Sequence, residues 1–268
     1  MDLVEAHERD QNNTHEPTSN PNVASGNIDT DVQVAIAADA DQAMENMATG
    51  GPTQSNSETK RGLVGLSPVL RFYKGDNIQG RTLEEILQWS DSKLEYTHDF
   101  IQILFPIPER SNFMLHPAAT LDEQTMEAFR NNPELQASMR RALARMLRFF
   151  GFDYQIVNVD TDANDTATIQ RLVHILPNPE VFPRAARNWM NSHNDLRITR
   201  IIRCLRCCGM ETEAREFYRA LRHLHTSRTG HPRRISDRTF MYWTRAAKRD
   251  IRIPPDMSDV EAERLVTP

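Results

Sequence analysis

The sequence lacks any uninterrupted apolar run of the 18 to 20 or so residues that a membrane-spanning helix requires. It also lacks an N-terminal basic segment followed by an apolar core, so we expect no secretory signal. Cysteine is scarce, and Cys204, Cys207 and Cys208 lie too close together to predict a disulfide framework. These absences favour an intracellular protein of a reducing compartment, soluble or at most peripheral to a membrane.

Aromatic residues are absent from the first 59 residues, which carry eleven Asp or Glu against one basic residue, Arg9. Such a segment cannot bury enough apolar surface to offset the entropy lost on ordering it. We therefore predict a disordered acidic arm over residues 1–66, a folded domain over residues 67–253 and a short tail over residues 254–268.

Charge is distributed unevenly along the chain, whose formal net charge is -5. Residues 184–252 hold seventeen Lys or Arg against six Asp or Glu. Two explanations stay open: arginines on the solvated faces of helices, or a basic surface for nucleic acid or another polyanion. Because no motif for reading bases is present, any nucleic-acid binding should be weak and independent of sequence.

The clearest helical pattern is NNPELQASMRRALARMLRFFGF, residues 131–152. Asn132 can cap a helix, Pro133 suits its first position, and Gly151 is a typical residue for its end. Apolar residues recur at three- and four-residue steps, which predicts an amphipathic helix with one buried face. The predicted buried stripe consists of Leu135, Met139, Leu143, Met146 and Phe150.

Three further helix starts are marked by a Ser or Thr followed three residues later by Glu, the spacing of a capping box. They are Thr82 in TLEE, Ser92 in SKLE and Thr120 in TLDE. The helix that begins at Ser92 is predicted to continue until Pro106, because proline cannot extend a helix.

Residues 152–160, FDYQIVNVD, are the one stretch that resembles a strand. Since one strand cannot form a sheet, the sequence predicts an all-α fold, a single helical bundle of about six or seven helices. The later helices are expected in DLRITRIIRCLRCCG, around Ala214–Leu224 and over Asp237–Lys248.

Four phrases occur in an order and spacing that resemble the conserved domain of the opioid growth factor receptor family. They are FYKGD, ILQWSDSKLEYTHDFIQILFPIPE, MLRFFG and SHNDLRITRIIRCL, within residues 70–253. The resemblance implies a helical domain of an intracellular, non-enzymatic receptor for an enkephalin pentapeptide. It also implies growth regulation and association with the nuclear envelope, in the cytoplasm or nucleus.

A peptide of this kind needs an apolar groove and a cation for its terminal carboxylate. The candidate ligand-binding or partner-binding residues are Trp89, Tyr96, His98, Phe100, His193, Asn194, Arg197 and Arg200. Two alternatives stay open, because the aromatic residues could be core. Asn194 or Asp195 could also cap a helix that a local salt bridge to Arg197 or Arg200 holds.

Catalysis is not expected, although His98 lies near Glu95 and Asp99, because no nucleophile motif, phosphate-binding loop or HExxH pattern is present. Zinc is not expected either. One residue separates His223 from His225, and the cysteines fall inside a predicted helix, so the spacing does not match a zinc finger. We expect no cofactor and no metal, and a peptide or protein as the partner.

Overall fold

The computed structural model describes residues 65–109, 120–161, 168–190, 193–227 and 235–266. The predicted acidic arm lies almost entirely outside the described residues. Within them the chain forms eleven helices and two strands. In chain order these are α1 (Pro68–Tyr73), α2 (Leu83–Leu87), α3 (Asp91–Tyr96), α4 (Phe100–Leu104), α5 (Glu123–Asn131), α6 (Pro133–Phe150), β1 (Phe152–Thr161), β2 (Thr168–Pro177), α7 (Phe182–Trp189), α8 (Asn194–Cys207), α9 (Glu211–Thr226), α10 (Asp237–Lys248) and α11 (Asp259–Val266).

Local capping fixes many of the helix starts. The capping box at Thr82 is confirmed, because its side chain accepts from the backbone of Glu85, whose carboxylate in turn accepts from the backbone of Thr82. Asn132 caps α6 and Pro133 is its first residue, while Gly151 ends it in a left-handed conformation with φ 86°. The sequence predicted both ends of this helix.

Two predicted caps are displaced. The side chain of Ser90, not Ser92, caps α3, and Asp122, not Thr120, caps α5. The helix predicted from Ser92 to Pro106 is also wrong as one element, because it is divided into α3 and α4. Thr97 is extended there, with φ -95° and ψ 127°.

The all-α prediction is wrong because β1 has a partner. β1 and β2 pair antiparallel over their full lengths, from Phe152 opposite Pro177 to Thr161 opposite Thr168. Phe152, Val173 and Ile175 on one face are buried. The fold is therefore mostly helical with a small two-stranded sheet. Its helices exceed the predicted six or seven because α1 to α4 are short elements of five or six residues each.

One hydrophobic core joins the helices to the sheet. The predicted stripe of α6 is confirmed, since all five of its members are buried. The indole of Trp189 packs on Phe150 at 5.4 Å between ring centroids and donates from Nε1 to the Phe150 carbonyl. Phe152 packs edge-on against Phe217 at 5.6 Å, which fixes the start of the sheet against α9.

The segment predicted as a tail contains α11. Arg245 donates to the Asp259 carboxylate at 2.9 Å, and Arg249 donates to the same carboxylate and to the Met257 carbonyl, the latter at 2.7 Å. In the described ranges, no helix is both long enough and apolar enough to cross a bilayer.

Candidate functional site

The fold brings the two most distinctive phrases of the sequence together. The start of α8 lies against the end of α3 and the turn that follows it, through hydrogen bonds between residues about a hundred positions apart. All eight predicted site residues fall at or beside this α3–α8 junction, but some face solvent and others form its interior.

Arg197 is the centre of the junction and is only 4% exposed. Its Nη2 donates to the carbonyl of Thr97 at 2.7 Å and to that of Glu95 at 3.4 Å. Its guanidinium carbon lies 5.2 Å from the centroid of the Phe100 ring. Burial lowers the pKa of Arg197 to about 10, so the side chain remains charged at neutral pH.

Asn194 completes this network from the first turn of α8. Its side chain is fully buried, accepts from Arg197 Nη1 at 2.8 Å and donates to the Glu95 carboxylate at 3.0 Å. The cap considered at Asn194 or Asp195 is not found, because His193 occupies the N-cap position of α8, and the His193 side chain makes no capping bond. Glu95, Asn194 and Arg197 instead join two helices.

Two histidines border the network. The rings of His98 and His193 lie 4.9 Å apart, and His193 Nε2 lies 3.5 Å from the Glu95 carboxylate. The pKa of His193 is lowered by burial, the largest cause, and by the nearby positive charge of Arg197, the second largest. The Glu95 carboxylate opposes that effect, and His98 adds to it.

We expect this histidine to make the domain less stable in mild acid. Its folded pKa lies below the unfolded value of about 6.5, so the unfolded chain takes up the proton first. The free energy of unfolding should therefore fall as the pH drops through 6.5, and the loss should end below the folded pKa. Urea unfolding of the wild type and of His193→Gln between pH 5 and 8 would measure it, and equal pH profiles would contradict the prediction.

Three other predicted residues support the junction. Arg200 donates to the Phe105 carbonyl at 3.1 Å, and burial lowers its pKa. Phe100 is fully buried, and half-buried Trp89 packs edge-on against it at 5.7 Å. The Nζ atom of Lys93 lies 4.3 Å from the centroid of the Trp89 ring, so a cation covers part of this indole.

Two large apolar side chains at the junction face solvent. Tyr96 is 79% exposed and lies between the two residues whose carbonyls accept from Arg197. Leu196, which directly precedes Arg197, is 65% exposed. Tyr96 was predicted from the sequence and Leu196 was not, although its position off the apolar stripe of α8 was an available signal. We call Tyr96, His98, His193 and Leu196 the junction surface.

The arginines of α8 are mostly internal. Besides Arg197 and Arg200, Arg203 donates to Glu109 at 2.6 Å, and Arg206 donates to the carbonyls of Ala246 and Arg249 at 3.0 and 2.8 Å. This helix therefore contributes less to a solvated or polyanion-binding face than its composition indicates, because its cations hold neighbouring segments.

The three cysteines are buried as free thiols. Cys204 and Cys207 belong to α8, and Cys208 is its C-cap. Burial raises the pKa of Cys207 to about 12, which keeps this thiol protonated at neutral pH. In the part of the chain that the structure describes, no group of three or more His, Cys, Asp or Glu side chains is placed to hold a metal ion.

Comparison with known proteins shows the class to which this helical domain belongs. The family model of the opioid growth factor receptor conserved region matches residues 67–229. The chain is 35% identical over 149 residues to the opioid growth factor receptor of Rattus norvegicus, covering 53% of the chain and 23% of that protein. It is 34% identical over 159 residues to the receptor of Homo sapiens, covering 57% and 21%.

A second kind of relative is the opioid growth factor receptor-like protein 1 of Rattus norvegicus, 31% identical over 153 residues, which cover 53% of the chain and 29% of that protein. No solved structure matches the chain. The chain belongs to the opioid growth factor receptor family, as its phrases predicted. The matched region spans less than a third of the length of these curated relatives.

Proposed function

We propose that the chain is a non-enzymatic receptor or regulatory interaction domain that binds a peptide or protein at the junction surface and modulates cell growth. The observation that carries this proposal is the pairing of exposed Tyr96 and Leu196 with the buried network of Glu95, Asn194 and Arg197. Because the buried network already orders the backbone beneath these side chains, a partner that covers them need not pay for ordering that backbone.

The predicted site residues divide into two roles under this proposal. Tyr96, His98 and His193, together with Leu196, contact the ligand. Phe100, Asn194, Arg197 and Arg200 position them from beneath, since three of these four are buried and Arg200 is bonded to a carbonyl. Trp89 forms the margin of the surface. The names of the relatives, which describe receptors for an opioid growth factor, support a peptide as the ligand.

Calorimetry with the enkephalin pentapeptide implied by the family tests the proposal. We expect saturable binding that Leu196→Ala weakens about tenfold, a loss of about 1.4 kcal/mol. Leu265→Ala is the matched control, because Leu265 on α11 is 64% exposed, nearly the same as Leu196. Circular dichroism should show an unchanged helical fold in both variants.

Two results would contradict the assignment. Equal weakening by Leu196→Ala and Leu265→Ala would show that the junction surface is not the binding site. Absence of heat at micromolar peptide would remove this peptide as the ligand. Capture of cellular proteins on the wild type and on Leu196→Ala, compared by mass spectrometry, should then find partners that the variant loses.

We also propose an intracellular location, in the cytoplasm, the nucleus or both, with peripheral association at the nuclear envelope. The support is what the resemblance to the family implies, together with the scarcity of cysteine, which suits a reducing compartment. Imaging of the full chain with a fluorescent tag would test it, and an exclusively secreted product would contradict it.

A further inference from the structure

The arginines of α9 differ from those of α8 in facing solvent. The side chains of Arg215 and Arg219 are 67% and 77% exposed, and Arg222 is also exposed. The three residues follow each other at steps of four and three, so they occupy one face of the 16-residue helix. We call them the α9 arginine stripe.

This stripe carries more positive charge than its neighbours neutralise. Glu216 lies 3.6 Å from Arg215 Nε and 3.2 Å from Arg219 Nη1, so one carboxylate serves two arginines. Glu211, at the start of α9, is paired with Arg206 at 3.2 Å instead. Among the described residues, no carboxylate forms an ion pair with Arg222, and the face retains a net positive charge of about two.

Geometry favours an extended polypeptide with acidic side chains as the counterpart. The rise of an α-helix places consecutive members of the stripe about 6 Å and about 4.5 Å apart along its axis. Alternate residues of an extended chain are about 6.6 Å apart and lie on one side. Acidic residues at every second position can therefore meet successive arginines. The arginine side chains are long and flexible enough to compensate for the difference between the two spacings.

We propose that the α9 arginine stripe binds a short acidic polypeptide segment of a partner protein. Nucleic acid fits less well, because its phosphates continue beyond the three arginines, whereas a short acidic segment matches the length of the stripe. The helix also carries no Asn or Gln, the side chains that pair with adenine. Its aromatic residues Phe217 and Tyr218 are buried and cannot stack on exposed bases.

The test is fluorescence anisotropy of the full chain with a labelled peptide of alternating Glu and Gly. Arg219→Glu should weaken binding at least tenfold, because it replaces the central cation with an anion that repels the acidic peptide. Lys74→Glu is the control, since it changes the net charge equally at an exposed position at the end of α1. It should change affinity less than twofold.

Three outcomes would overturn the proposal. Equal weakening by both variants would show that only net charge matters. Equal affinity for a peptide of alternating Gln and Gly would show that acidic side chains are not recognised. Tighter binding of a duplex DNA, with log K falling by about 2.7 for each tenfold rise in salt as expected for three phosphates, would make nucleic acid the partner.

Discussion

Gly151→Ala is expected to lower the free energy of unfolding by about 3 kcal/mol. Gly151 has φ 86°, a left-handed conformation that costs other residues about 1 to 2 kcal/mol. A Cβ atom there would also lie 2.8 Å from Phe182 Cα and 2.9 Å from Ala185 Cβ. Relieving the overlap requires α7 to shift against the core, which adds about 1 to 3 kcal/mol.

Gly80→Ala separates the two contributions. Gly80 has φ 73°, and an added Cβ would meet nothing within 4 Å. This variant should therefore lose only the conformational part, about 1 kcal/mol. Urea unfolding followed by far-ultraviolet circular dichroism gives both values under the same conditions. Equal losses in the two variants would show that the approach of α7 to Gly151 does not limit stability.

Local signals account for the parts of the fold that the sequence predicted. The cap at Asn132, the apolar stripe of α6 and the end at Gly151 all lie within one continuous segment, so neighbouring residues determine the result. β1 was recognised for the same reason. Its partner β2 was missed because pairing is nonlocal, and because TIQRLVHILP places Leu172 and Leu176 on the exposed face, which obscures the alternation of a half-buried strand.

Tertiary contacts override the local pattern at the break between α3 and α4. The capping motif and the apolar residues of this stretch predicted one continuous helix as far as Pro106. In the structure, the carbonyls of Glu95 and Thr97 accept from Arg197 on α8. Periodicity within the segment carries no information about a donor a hundred residues away, so this break could not be predicted from it.

The eight candidate residues lie at or beside one junction, their role in binding stays a prediction, and their orientation was not predicted from the sequence. The sequence indicated that Arg197 lies on the same face as Asn194, and the 2.8 Å bond between them confirms this. The resemblance did not show that Arg197 is buried while Tyr96 and Leu196 face solvent. Side-chain direction here depends on how α8 meets α3, which only the assembled core determines.

Arg197→Ala is expected to lower the free energy of unfolding by about 3 kcal/mol. The change removes the donor for two carbonyls, those of Glu95 and Thr97, and for the buried side chain of Asn194. Each buried polar group left without a partner costs about 1 to 3 kcal/mol. The variant no longer bears the cost of burying the arginine charge, and this offsets part of the sum. Urea unfolding measures the difference.

Arg219→Ala is the matched control, because the Arg219 side chain is 77% exposed and an exposed residue should change stability by no more than about 0.5 kcal/mol. The loss of unfolding free energy in Arg197→Lys should lie between those of Arg197→Ala and Arg219→Ala. Lysine keeps the charge but lacks the planar guanidinium, whose several donors reach both helices. A loss below about 0.5 kcal/mol for Arg197→Ala would contradict the structural role.

Comparing Arg197→Ala with Leu196→Ala then distinguishes a residue that holds the α3–α8 junction together from a residue that contacts the ligand. Arg197→Ala should increase hydrogen exchange of the backbone amides of α3 and α4, because it removes the bonds that hold their connection. Leu196→Ala should leave that exchange unchanged and still weaken ligand binding, because the Leu196 side chain is exposed and makes no polar contact between the helices. Faster exchange in Leu196→Ala would mean that the exposed leucine also holds the junction, and loss of ligand in that variant would no longer identify a binding surface.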